Sequence, residues 1–275
     1  MKEYLQTRDF AVSKEEFSLL YDSELELLRT EPQPEQLDSY YQHESYISHT
    51  DQSKTLLEKI YQVVKKMGLS RKRKWLEQFV QKEAEILDIG AGTGAFVEYL
   101  NSKGWSAEGL EPNEKARNIA ANKEVHLFKD INKVSNRKYD VITLWHVLEH
   151  FKDLDTSIDK VLGLLKDDGY LFIAVPNFKS YDARYYKTYW AAFDVPRHLW
   201  HFSRNSIDKL FNRRGWKVIE VKPMLFDSFY IALLSEKYKH GKTNWGSAFW
   251  RGLRSNWNGW KTGEYSALLY VLKKH

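Results

Sequence analysis

From Glu85 onward the chain alternates between two hydrophobic periods. Short apolar runs such as Ile86-Leu87-Asp88-Ile89 and Val141-Ile142-Thr143-Leu144 have the form of buried strands, whereas Leu154, Ile158, Val161, Leu162 and Leu165 recur at helical spacing. The alternation predicts strands over 85–89, 106–110, 125–128, 139–145 and 170–175, with helices over 94–103, 113–122 and 154–165. Asp167-Asp168-Gly169 has the composition of a turn. Strands separated by single helices imply a parallel sheet with helices on both faces, and ligands that bind at the carboxyl ends of its strands. Past residue 200 the pattern predicts a helix over 204–214, capped by Ser203, and a strand over 216–221. A helical insertion over 227–262 and a strand over 265–272 follow, so that the sheet closes in an antiparallel hairpin. Upstream, Leu56, Leu57, Ile60, Val63, Val64 and Met67 mark a helix that Asp51 or Ser53 would cap and Gly68 would stop. Arg71-Lys72-Arg73-Lys74 would start another. Residues 1–50 and 178–203 hold no sustained period and are expected to be irregular.

Composition narrows the class. The chain has 275 residues, 43% of them hydrophobic, which is enough for one α/β domain with additions or for two small domains. It has no cysteine, so disulfides and thiolate metal sites are excluded. The N-terminus lacks the apolar core of a signal peptide and no apolar run reaches the length of a membrane span, which predicts a cytoplasmic protein. The net charge of +5 is spread out and does not by itself argue for nucleic acid. Ten tryptophans are many for this length, and they concentrate after residue 185.

Candidate chemistry starts at Gly90-Ala91-Gly92-Thr93-Gly94, which links the strand at 85–89 to a helix. Glycines without a Cβ let a ligand approach the backbone, and the N–H groups that open the helix favour an anionic or polar group. The spacing differs from the dinucleotide pattern G-x-G-x-x-G, which disfavours a nicotinamide enzyme. Glu111, at the end of the second strand, could accept both ribose hydroxyls of a nucleoside; elsewhere such a residue is a surface carboxylate. Asp130 could accept from an adenine amino group with Ile131 over the ring, or could be an ordinary turn residue.

These landmarks, with Gly109-Leu110-Glu111-Pro112, Tyr139-Asp140-Val141-Ile142 and Leu164 to Tyr170, resemble those of class I S-adenosylmethionine-dependent methyltransferases over roughly residues 70–222. Leu144-Trp145-His146-Val147-Leu148-Glu149-His150 and Val195 to Ser203 look like the ubiquinone O-methyltransferase branch. The resemblance implies an α/β, Rossmann-like mixed sheet of seven strands, the last antiparallel, with an N-terminal extension (1–52) ahead of the methyltransferase domain (53–275). It implies S-adenosylmethionine as cofactor and S-adenosylhomocysteine as product. Gly90, Ala91, Gly92 and Gly94 would contact the methionine side, Asp88 would order the amino group, and Glu111-Pro112 would hold the ribose. Asp130 and Ile131 would take the adenine, and Trp145 and His146 would close over the cofactor.

A hydroxyl acceptor needs a base, for which His146, His198 and His201 are the candidates, His198 first and His146 second, with Asp194 as a partner. His198 and His201 could equally fix the helix that follows them. His146 and His150 stand four apart, but a turn is expected there, so no metal is predicted. The segments 178–203 and 227–262 are read as lids on the acceptor side. The tryptophan-bearing insertion could instead form an acceptor pocket, a dimer surface or a peripheral membrane contact. The segment Val12 to Tyr46 looks similar to a region that begins with a zinc ribbon in related bacterial enzymes, but Asp22 and Leu25 stand where cysteines would. Tyr40, Tyr41, Tyr46, His43 and His49 could cover the cofactor or pack on the domain. The function expected is methyl transfer to a small, lipid-linked or glycosyl acceptor at oxygen. N- or C-methylation and non-catalytic cofactor binding are the alternatives. A nucleic-acid substrate is disfavoured because no Asn/Asp-Pro-Pro-Tyr signature follows the fourth strand.

Overall fold

The computed structural model of the chain describes residues 1–37, Tyr40, 56–134 and 136–275, with backbone alone over 56–65. Tyr41, His43, Tyr46, His49, Asp51 and Ser53, named above as covers or caps, lie outside the described residues. The chain forms two compact units. The first comprises Met1–Gln42, Trp145–Ser157 and Phe172–His275; the second comprises His43–Leu144 and Ile158–Leu171.

The N-terminal stretch is not irregular. It forms three antiparallel strands, β1 (Lys2–Arg8), β2 (Glu16–Asp22) and β3 (Leu27–Glu31). In β2, Phe17 and Leu19 alternate inward, a period too short to stand out among flanking acidic residues. Asp22 accepts the N–H groups of Glu24 and Leu25 at 2.9 and 3.0 Å and so closes the turn into β3. A short strand from the supposedly irregular 178–203 stretch, β9 (Trp200–His201), completes this sheet by pairing with β3. Phe17, Leu19 and Leu28 share a buried cluster with Phe178, Tyr186, Trp190 and Phe193.

In the second unit, α1 (Leu56–Leu76) is one helix that runs through both Gly68 and the basic run. A glycine costs a helix about 1 kcal/mol against alanine, too little to break one this long, and a Cβ at Gly68 would meet nothing within 4 Å. β4 (Glu85–Ile89), α2 (Ala95–Ser102), β5 (Ser106–Leu110), α3 (Glu114–Ala121), β6 (Leu127–Phe128) and β7 (Tyr139–Trp145) follow as the pattern predicts. α4 (Leu154–Leu162) ends earlier than expected and β8 (Leu165–Pro176) begins earlier, so Asp167-Asp168-Gly169 lies within a strand. Gly169 is there for close approach, since a Cβ on it would come within 3.0 Å of the Lys166 carbonyl and 3.2 Å of that of Asp140.

The remaining elements are α5 (Tyr181–Tyr186), α6 (Arg204–Asn212), β10 (Trp216–Pro223), α7 (Asp227–His240), α8 (Trp245–Thr262) and β11 (Ala267–Lys274). Ser203 caps α6 in a reciprocal box with Ser206. The large sheet has the order β10-β11-β8-β7-β4-β5-β6. β4 is parallel to β5 and to β7, β5 is parallel to β6, and β10 and β11 are antiparallel. It is the seven-stranded mixed sheet anticipated above. Chain order reverses at β4, with β5 on one side and β7 on the other, so its carboxyl end is a switch point where ligands bind.

The first unit is tied together by one buried cation. Arg197, only 1% exposed, donates to both oxygens of Asp194 (3.0 and 2.7 Å) and to Asp9, with 2.9 Å to Oδ1. Asp9 also accepts the N–H groups of Ala11, Val12 and Ser13. Burial opposes ionisation of Asp9, but Arg197 and these N–H groups prevail and hold its pKa down to about 2. The folded pKa therefore lies below the unfolded value of roughly 3.9, so this stabilisation is complete above that value and is lost as pH falls through about 2. Asp9→Ala leaves Arg197 with one anion fewer in the interior and should destabilise the protein by about 3–5 kcal/mol, read as a lower urea midpoint.

Candidate functional site

The turn after β4 needs glycine at each of its three alternate positions. Gly90 and Gly92 have φ of 71° and 54°, in the left-handed region that a side chain disfavours. The N–H groups of Gly90 and Ala91 donate to the Leu110 carbonyl at 2.7 and 2.9 Å, which folds the turn over the end of β5. The N–H of Gly92 donates to Glu111 at 2.9 Å, and the other carboxylate oxygen accepts the N–H of Asn113 at 2.8 Å. A Cβ at Gly92 would meet nothing within 4 Å, so this part of the turn faces open space. Gly94 shares the left-handed backbone, with φ of 73°, and serves packing as well: a Cβ there would come within 2.8 Å of Val125. It stands before α2, its own N–H bonded to the Ala91 carbonyl at 2.9 Å.

Asp88 is buried in β4 and accepts the Thr143 hydroxyl at 2.6 Å. Burial pushes its pKa up to about 6, against the hydrogen bond from Thr143. Asp130 accepts the N–H of Asn132 at 2.9 Å, and Ile131 opens a short 3-10 turn. Pro112 and Glu111 offer their carbonyls to Arg117 at 2.6 and 2.8 Å, which holds the chain at the end of β5. Asp88, Gly90, Ala91, Gly92, Gly94, Glu111, Pro112, Asp130 and Ile131 thus all lie in the second unit, at or beyond the carboxyl ends of β4, β5 and β6.

Trp145 and His146 belong to the first unit. His146 follows β7 with φ of 58°, a left-handed conformation rare outside glycine, and its N–H is tied to the Ala174 carbonyl at 2.9 Å. Its Nε2 lies 2.9 Å from Asp227, the first residue of α7, and its Nδ1 lies 3.5 Å from Glu149. Burial works against the cation, but Asp227 and Glu149 outweigh it and push the pKa up to about 10. His146 is therefore cationic at neutral pH. Asp227 is eighty-one residues away in the chain, and no motif pointed to it.

Glu149 is 1% exposed, and neither of its carboxylate oxygens has a hydrogen-bond partner among the described residues. Burial opposes its charge, but His146, His198 and His150 around it hold its pKa below the usual range. His150 donates Nδ1–H to the Arg197 carbonyl at 2.9 Å, and His198 donates Nδ1–H to the Ala192 carbonyl at 2.9 Å. Because a carbonyl only accepts, Nδ1 carries the hydrogen in both imidazoles and Nε2 is the nitrogen left for another partner. His201 donates Nε2–H at 3.0 Å to Thr30, whose hydroxyl in turn donates to the His198 carbonyl at 2.7 Å. Burial first, then the neighbouring His198 imidazole, lower His150 to about 4 and His201 to about 3, so both are neutral at pH 7.

Among the described residues, Glu149, His150 and His198 each bring one donor atom to within 4.8 Å of the others, a set that could hold a divalent cation. His146, four residues before His150, is not in this set; its Nε2 faces Asp227. Asp194, expected beside His198, is 4.0 Å from its Nε2 and serves Arg197 first. The signal for Glu149 was present in the His-x-x-Glu-His run. The signals for Thr30 and Asp9 were absent, because both act from an N-terminal segment that looked irregular.

Comparisons with known proteins give one family. A family profile described as a methyltransferase domain matches residues 47–221. Ubiquinone biosynthesis O-methyltransferase of Nitrosomonas europaea is 30% identical over 108 residues, 34% of this chain and 45% of that protein. The same-named enzyme of Coxiella burnetii is 30% identical over 120 residues, 39% of this chain and 51% of that protein. The chain thus spans about half the length of these curated relatives. Among solved structures, magnesium protoporphyrin IX methyltransferase of Synechocystis, with bound S-adenosylhomocysteine, superposes with a TM-score of 0.56 at 15% identity. That match covers 86% of this chain and 97% of that one. A methyltransferase of Archaeoglobus fulgidus gives 0.52 at 16% identity over 76% of this chain and 94% of that one. At these identities the structural matches establish the fold.

The pairing of His146 predicts a measurable titration. Its folded pKa is raised above the unfolded value of roughly 6.5, so the stabilisation is complete below that value and lost as pH rises through about 10. Asp227→Asn should move the imidazole midpoint toward neutrality, followed by NMR of the ring nitrogens.

Proposed function

The chain belongs to the class I S-adenosylmethionine-dependent methyltransferases, and from that premise we propose that it transfers a methyl group to a hydroxyl oxygen of a small or lipid-linked molecule. The cofactor supplies, when bound, a methyl group activated on a sulfonium. The residues at the end of β4 fit such a group. The turn is open at Gly92, where any side chain would narrow the approach, and among the described residues the Glu111 carboxylate accepts one N–H on each oxygen. Each oxygen retains a lone pair for a ribose hydroxyl. On this reading Glu111 and Pro112 hold the ribose, while Asp130 and Ile131 take the adenine. Asp88 orders the amino group behind the glycine turn, and Trp145 and His146 close over the cofactor.

The observation that carries oxygen as the accepting atom is the buried Glu149 beside His198, whose Nδ1 is held by the Ala192 carbonyl so that Nε2 is left to act. A hydroxyl must lose its proton as the methyl arrives, and an imidazole whose other nitrogen is fixed by a carbonyl can take it at Nε2. The ionised Glu149 beside it stabilises the imidazolium that forms. His146 is already protonated at neutral pH, so the base role falls to His198 and His146 acts as a fixed positive group. The O-methyltransferase names of the relatives at 30% identity support the same choice of atom.

Two substitutions test separate halves of this reading. Glu111→Ala should weaken S-adenosylmethionine binding by roughly 1.5–3 kcal/mol, the worth of hydrogen bonds to a charged group, read by calorimetry; unchanged affinity removes Glu111 from the ribose. His198→Ala should lower kcat by roughly a hundredfold or more on a hydroxyl acceptor while leaving cofactor affinity alone. Full activity in that variant takes the proton elsewhere.

A further inference from the structure

The strongest unexplained feature lies on α8. Trp245, Trp250, Trp257 and Trp260 are 67%, 69%, 62% and 71% exposed, and Phe249 and Leu253 are exposed between them. Trp245, Phe249, Leu253, Trp257 and Trp260 follow one another at steps of four and three residues, so they form one stripe, with Trp250 at its side. A cavity of about 650 Å³, lined by Ser247, Trp250, Arg251, Leu253, Arg254 and Trp257, opens along the helix. Phe226 and Tyr230 of the neighbouring α7 are exposed as well.

The helix cannot hide this stripe by turning over. Its inward face is Ala248, Gly252, Ser255 and Gly259. A Cβ at Gly252 would come within 2.6 Å of the Phe229 ring, and one at Gly259 within 2.5 Å of the Tyr265 ring. Ser255 donates to the buried Asp182 at 2.7 Å, and Asn256 donates to the Leu225 carbonyl at 3.0 Å. Only small residues fit against the protein, so the aromatic face is held outward. The tryptophans of α8 therefore do not pack onto the protein.

The charges say what covers it. α8 carries Arg251, Arg254 and Lys261 and no acidic residue. The cations are held in place by aromatic faces: Arg251 lies 3.9 Å from the Tyr185 ring centre, Arg254 5.4 Å from that of Tyr181, and Lys261 5.3 Å from that of Trp257. Lys239 of α7 joins Arg251 over Tyr185 at 4.9 Å. A second copy pairing face to face would oppose these cations with their own likes, and no acid on the helix would answer them. A bilayer surface with anionic headgroups meets both features. Indole rings favour the headgroup boundary over the hydrocarbon interior, and cations at their side meet the phosphates. Among the described residues no helix is long and apolar enough to cross a membrane, so such a helix lies along the surface.

We infer that the outward face of α8 seats the protein on an anionic membrane, with Trp250, Trp257 and Trp260 in the headgroup boundary and Arg251, Arg254 and Lys261 on lipid phosphates. This goes beyond the proposed reaction and does not depend on which acceptor is methylated.

Flotation of the full chain with vesicles tests it, using phosphatidylcholine alone and phosphatidylcholine mixed with phosphatidylglycerol. The wild-type chain should float with the mixed vesicles, with a blue shift of tryptophan emission, and should lose most of this binding in high salt. A triple variant Trp250→Ser, Trp257→Ser, Trp260→Ser should bind about tenfold more weakly or less, and so should Arg251→Gln, Arg254→Gln, Lys261→Gln. These side chains are exposed, and unchanged thermal unfolding of each variant confirms that its fold is intact. No flotation with either vesicle, or equal flotation of wild type and the tryptophan variant, overturns the inference. So does a wild-type dimer in sedimentation equilibrium that the tryptophan variant abolishes without any vesicle binding, which assigns the face to a second copy.

Discussion

A guanidinium removed from water must be answered by anions at close range, and in the first unit that constraint organises everything near the histidines. Arg197 meets Asp194 from its own loop and Asp9 from the N-terminal strands. Because Asp9 is itself held by three backbone N–H groups, the turn between β1 and β2 has one shape. The carbonyl of Arg197 then fixes the ring of His150, while Thr30 from β3 fixes His201 and the carbonyl of His198. Breaking the pair exposes the cation to an interior that cannot solvate it, which is why the N-terminal sheet and the histidine loop form one structural unit.

The histidines differ in charge state although they are close in sequence. His146 has two carboxylates within reach and stays cationic; His150 and His201 have backbone or hydroxyl partners and stay neutral. Glu149 is the common neighbour of His146, His150 and His198, and its charge depends on theirs. Environment rather than residue type assigns the roles, and a single buried carboxylate couples them.

The sheet and the glycine turn were legible because they follow local rules. Ile86, Leu87 and Ile89 form a buried strand for the same reason in any fold of this class, and the left-handed φ of Gly90 and Gly92 is open mainly to glycine. Gly94 shares that conformation with φ of 73°, and it also makes a close contact with Val125, which no spacing reveals. Local rules also misled: Gly68 did not end α1, and Asp167-Asp168-Gly169 did not turn, because pairing and burial outweigh a propensity of about 1 kcal/mol.

The sequence by itself determined the α/β alternation, the turn at Gly90 to Gly94, the carboxylate Glu111 and the membership of a family, since each rests on residues near one another in the chain. Only the tertiary structure decided that the first thirty residues are strands bound to the histidine loop, that Asp227 charges His146, and that the tryptophans of α8 face outward. Those outcomes turn on partners dozens of residues apart and on which face of a helix has room for side chains. Hydrophobic periodicity records that a face exists, but burial is settled by the shape of what it meets.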